Sequence, residues 1–116
     1  MKITRIYTGD DSESHFEDLE IPLASGDYAG SRSKPVAAKD VIFRETGPDY
    51  DLDFHQAPRR QYVVNLTGSG EIEVGSGEKR ILGPGSILLA EDTTGRGHKS
   101  RAVNNETRQC LFIGLA

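Results

Sequence analysis

Imidazole is scarce in this sequence, carried only by His15, His55 and His98. His55 stands in Asp51-Leu52-Asp53-Phe54-His55-Gln56-Ala57, just before Pro58-Arg59-Arg60-Gln61. His98 closes Glu91-Asp92-Thr93-Thr94-Gly95-Arg96-Gly97-His98. A neutral imidazole offers one hydrogen-bond donor and one acceptor, or a lone pair for zinc, iron, copper or nickel. Gln61 offers two donors and an acceptor, so its amide suits hydrogen bonding better than it suits a metal. If Arg59 or Arg60 turned inward, it could grip a carboxylate in bidentate fashion. A solvated loop charge or an intersubunit pair is the plainer expectation for both. Glu91 stays open to a ligand or catalytic role, whereas Asp92, followed by two threonines and a glycine, reads as a side-chain-to-backbone turn. His15 reads as a surface or interface residue. The single cysteine, Cys110, followed by Leu111-Phe112-Ile113, reads as a buried strand thiol. No Gly-x-Ser-x-Gly elbow or Cys/His arrangement offers a nucleophilic triad.

The elements that must position these groups read as strands. Residues 3–7, 41–45, 51–55, 61–66, 71–74, 79–82, 86–90, 101–103 and 109–115 are short apolar or alternating runs. Turn-forming residues separate them, Gly68-Ser69-Gly70 and Gly83-Pro84-Gly85 among them. Nothing sustains a helical period for three turns. Residues 10–20 are acidic and mixed, predicting a short helical turn at most, and residues 24–34 read as a surface loop. Residues two apart in a strand face the same way, so Asp53, His55 and Ala57 are expected on one face. Gln61 opens the next strand across Pro58. Tyr62, Val64 and Leu66 form the face opposite Gln61, with Ile72 and Val74 extending an apolar patch.

At 116 residues the chain is one domain. Charged residues make up 28% and hydrophobic ones 35%, a balance that suits a globular fold rather than a disordered one. The net charge of -4 comes with no Lys/Arg block longer than two residues, so neither nucleic acid nor a membrane surface is an expected partner. The N-terminus alternates like a strand rather than a signal sequence, and no apolar run is long enough to cross a bilayer. With a single cysteine, a reducing, cytoplasmic setting is the expectation.

Two stretches resemble the paired motifs of the cupin superfamily. The segment from His55 to Gly68 resembles the first: His55 stands at its first ligand position and Gly68 at its closing glycine. Ala57 replaces the second histidine and Gln61 the glutamate. Gly83 to Leu89 resembles the opening of the second motif, whose histidine is matched by His98, two residues later than usual and with no asparagine following. The string Glu91 to His98 is similar to one found in small bacterial cupins. The resemblance spans residues 41–113 and implies an all-β double-stranded β-helix, a jelly-roll cupin barrel. Its core would be residues 41–116, with residues 1–40 as an N-terminal arm whose edge strand packs on the barrel. It also implies a homodimer.

Such a barrel would gather His55, Gln61 and His98, with Arg60 and Glu91 nearby, around a small-molecule ligand. Two function classes follow. In the first, the pocket binds a small polar molecule, an organic acid or a sugar, through hydrogen bonds. In the second, His55, His98 and Gln61 hold one divalent transition metal (iron, zinc, manganese or nickel) in an oxygenase or isomerase. Ala57 and Gln61 weigh toward the first, because they leave two strong ligands and no negative charge for the cation.

Overall fold

The computed structural model describes residues 1–116, which form ten β-strands and no helix. The strands are β1 (Lys2–Thr8), β2 (Ser14–Glu20), β3 (Ala38–Thr46), β4 (Asp51–His55) and β5 (Gln61–Thr67). They continue as β6 (Gly70–Glu73), β7 (Lys79–Leu82), β8 (Ile87–Glu91), β9 (His98–Ala102) and β10 (Arg108–Leu115). A six-stranded sheet runs β2-β1-β8-β5-β10-β3, and a four-stranded sheet runs β4-β9-β6-β7. Neighbours are antiparallel except β1 beside β8.

Period-two alternation explains which side chains face in. Leu88 and Ala90 on β8 and Val63 on β5 point to the four-stranded sheet and meet Ile72, Val74 and Leu82 from it. Ile6 and Val74 are fully buried in this core. A buried aliphatic side chain of this size stabilises the fold by about 1.5–3 kcal/mol. Phe16 on β2 packs against the same cluster.

Several expectations change here. Residues 14–20 form a full strand in register with β1, from Thr8 opposite Ser14 to Lys2 opposite Glu20. Their acidic composition hid this: only Phe16 brings an apolar side chain to the core, Ser14 being a buried polar one, and backbone pairing with β1 sets the register. β1 is therefore an interior strand, and β2 and β3 are the sheet edges. Ile72 and Val74 lie in the core rather than on an outer patch. Residues 24–34 are exposed apart from the half-buried Ser33, as a surface loop should be, with one bridge between Ala24 and Arg32.

Candidate functional site

Between the two sheets, with the core residues Ala57, Ile72, Leu82, Leu88 and Ala90 in its wall, lies an open cavity of about 640 Å³. That volume suits a small organic molecule. Its wall brings together three of the expected residues: His55, Gln61 and His98. Ala57 lines it too, presenting a methyl where a second histidine would offer a ligand atom.

His55 ends β4 and His98 begins β9, and the two are paired across that ladder. Leu52 faces Ser100 and His55 faces His98, so three residues of β4 span two of β9. This bulge overrides simple alternation. It brings Leu52 and His55 together into the cavity wall and leaves Asp53 outside it. The Asp53 carboxylate instead accepts from the Phe54 backbone N–H at 2.8 Å. Gly97 permits the close approach: its φ is +81°, and a Cβ there would strike the His55 backbone.

The imidazole rings lie 4.6 Å apart, centroid to centroid, tilted by 57°. His55 Nδ1 lies 2.8 Å from the Asp53 carbonyl oxygen. A carbonyl only accepts, so Nδ1 donates this hydrogen bond. His98 Nδ1 donates to Asp92 Oδ2 at 2.6 Å, and the Ser14 hydroxyl donates to the same oxygen at 2.7 Å. Neither Nε2 has a protein partner, so both are available to a ligand.

Asp92 is the main residue that sequence reasoning missed. It is fully buried and locks the His98 ring, where a turn-forming role was expected. Its partner Ser14 comes from the N-terminal hairpin, and no spacing rule links residues 78 positions apart. The same hairpin grips the loop between Asp92 and His98. Thr8 Oγ1 donates to the Thr94 carbonyl at 3.0 Å, and Arg96 pairs with Glu13 at 2.8 Å.

Two expected residues lie elsewhere. Glu91 neighbours the inward Ala90 on β8, so it points to the outer face, where Arg5 Nε and Arg60 Nε each donate to it at 2.6 Å. Burial pushes the Glu91 carboxyl up, but the two guanidiniums outweigh it and hold it below its ordinary value. Arg60 and Glu91 are thus outside the cavity wall. The inward arginine is Arg59, two residues before Gln61. Its Nε donates to Gln61 Oε1 at 3.2 Å, and its Nη1 pairs with Asp40 at 2.6 Å. Arg44 and Arg108 line the cavity as well, together with Tyr50 and Ser100. No carboxylate does.

His15 is a surface residue paired with Asp11. Cys110 is buried, its thiol donating to Asn65 Oδ1 at 3.1 Å, and burial pushes its pKa up, which suits an unreactive strand thiol.

No family model and no curated protein matches the sequence. Among solved structures, the chain is similar to the crystal structure of protein NMB1881 from Neisseria meningitidis. The TM-score is 0.51 at 12% identity, covering 71% of this chain and 84% of that one. The likeness is one of fold.

Proposed function

We propose that this chain is a cupin-type jelly-roll barrel that binds a small polar organic molecule, an organic acid or a sugar, in its cavity. His55, His98 and Gln61 act as hydrogen-bonding groups. The observation that carries this reading is the composition of the cavity wall, which joins imidazoles, amides, hydroxyls and guanidiniums to an apolar floor without a carboxylate. Such a wall suits orientation of a small ligand by a few polar contacts.

A metal-dependent oxygenase or isomerase is the second reading. One observation favours it: both histidines have Nδ1 engaged by an oxygen acceptor and Nε2 free, the arrangement common among metal-ligating imidazoles. The rest of the donor set does not fit a tightly held divalent ion. Two imidazoles and one amide fall short of the usual three strong protein ligands, and Arg59 already occupies the amide oxygen. The guanidiniums in the same wall oppose a second cation.

Elemental analysis of untagged protein separates the two. The binding reading expects no stoichiometric iron, zinc, manganese or nickel, before or after titration. Stoichiometric metal that is lost in both His55→Ala and His98→Ala would replace it with the enzyme reading.

A homodimer belongs to the same proposal. β3 is an edge strand exposed on both faces, with Val41 at 49% exposure and Phe43 at 81%. Leu66 extends this apolar outer surface at 48%. A second copy covering that surface would bury it and protect an open edge. No helix is long and apolar enough to cross a membrane. A cytoplasmic setting remains part of the proposal, on the single buried thiol.

A further inference from the structure

We infer that the cavity ligand is an organic carboxylate, and that Arg44 and Arg108 form the clamp that receives its charged group. The inference rests on the reading that the cavity is a ligand site, and it names the ligand class.

The chain holds nine arginines and 18 acidic residues, so carboxylates are not scarce. Arg5, Arg59, Arg60, Arg80, Arg96 and Arg101 each pair with one. Arg32, Arg44 and Arg108 form no salt bridge, and the last two line the cavity. They are also neighbours. On the β3–β10 ladder Arg44 lies opposite Cys110 and Thr46 opposite Arg108, which makes the two arginines a diagonal pair on the cavity face. Diagonal positions are about 7–8 Å apart, within reach of long side chains. Two like charges so placed repel each other unless an anion sits between them.

Each guanidinium is prepared for that anion. Arg44 lies over the rings of Phe112 at 5.1 Å and Tyr50 at 5.5 Å, which holds its planar fork at the cavity mouth. The Nε of Arg108 is buried and has no hydrogen-bond partner. A carboxylate would satisfy that donor and give Arg44 a charge-assisted partner in one contact.

The opposite pole sets what else the ligand carries. Tyr50 Oη lies 3.4 Å from Arg44 Nη2 and 3.2 Å from Ser100 Oγ. His98 stands two residues from Ser100 on β9, roughly 7 Å further along the same face. There the two Nε2 atoms are available for hydrogen bonds. Between the poles the wall is apolar, formed by Val63, Ile72, Leu88 and Phe112. The complementary molecule is a carboxylic acid with an apolar body and a hydroxyl or amine at its far end.

The test uses para-hydroxybenzoate and the uncharged para-hydroxybenzamide as probes, titrated into the full chain while backbone amide chemical shifts are followed. The acid is expected to bind ~10-fold or more tightly than the amide, as a charge-assisted pair implies. That advantage is expected to disappear in R44Q and R108Q, with the acid losing far more affinity than the amide. Equal affinity for acid and amide, or an advantage that survives in both variants, would overturn the clamp and leave the cavity reading standing. No cavity shifts from either probe at millimolar concentration would overturn both. Thermal unfolding without probe supplies a second readout: relieving like-charge repulsion should leave each variant at least as stable as the wild type. A clear drop in both would show that the arginines serve the fold, and would sink the clamp.

Discussion

On the outer face of the six-stranded sheet, Glu91 accepts from Arg5 and Arg60 at 2.6 Å each, so all three charges of that triad have a partner. On the inner face, Arg44 and Arg108 stand side by side with none. The outer network is complete within the chain and gains nothing from a ligand. The inner one is incomplete, and the Nε2 atoms of His55 and His98 across the cavity share that condition. Arg44 is exposed to solvent, but the buried Nε of Arg108 has no partner, and a buried donor left unpaired costs stability that a ligand's carboxylate would recover.

The comparison can be broken most severely at Asp92. In Asp92→Ala the buried His98 Nδ1 and Ser14 hydroxyl lose their acceptor, so unfolding free energy should fall by about 2–3 kcal/mol in a urea titration. Probe binding at the imidazole pole should weaken with it. Unchanged stability would mean that the Asp92–His98 contact does not hold the site. Ser14→Ala leaves the stronger bond to His98 and should cost only about 1 kcal/mol by the same measurement.

The outer face should respond differently. Phe43→Asp is expected to shift the sedimentation profile from dimer to monomer while leaving affinity for the para-hydroxybenzoate probe unchanged. A profile that does not move would remove β3 from the interface. The smallest effect belongs to Glu91→Gln, a loss of about 0.5–1 kcal/mol with no change in probe affinity. Its sign with pH follows from the depressed carboxyl. The folded state holds the Glu91 pKa below the ordinary 4.5, so the contribution is present above that value and disappears as pH falls through the folded one. Acid titration should therefore narrow the stability difference between wild type and Glu91→Gln. A difference that stays constant through acid would show that the ion triad contributes nothing.

Much of this arrangement is legible in the sequence. The strand runs and the gathering of His55, Gln61 and His98 follow from alternation and motif spacing, but the hairpin expected at Gly68-Ser69-Gly70 does not form: that turn carries the chain from β5 in the six-stranded sheet to β6 in the four-stranded one. The choice between Arg59 and Arg60 is not present there. Arg59 reaches Gln61 and Arg60 reaches Glu91, but both lie in the loop before β5, where strand alternation does not assign their directions. Alternation along β8 does place Glu91 opposite Ala90. Other features have no local signature. The β4 bulge reverses the faces of Leu52 and Asp53, and it depends on how β4 meets β9. Asp92 becomes a histidine anchor because a parallel pairing of β1 with β8 delivers the β2 residue Ser14 beside it. Long-range pairing decides both.

The central claim is that the cavity is a binding site for an organic acid, and a crystal structure of untagged protein soaked with para-hydroxybenzoate tests it most directly. The account predicts a carboxylate between Arg44 and Arg108, with the hydroxyl donating to the Nε2 of His55 or His98. A metal ion bonded to those two Nε2 atoms, with the arginine pair left empty, would contradict it.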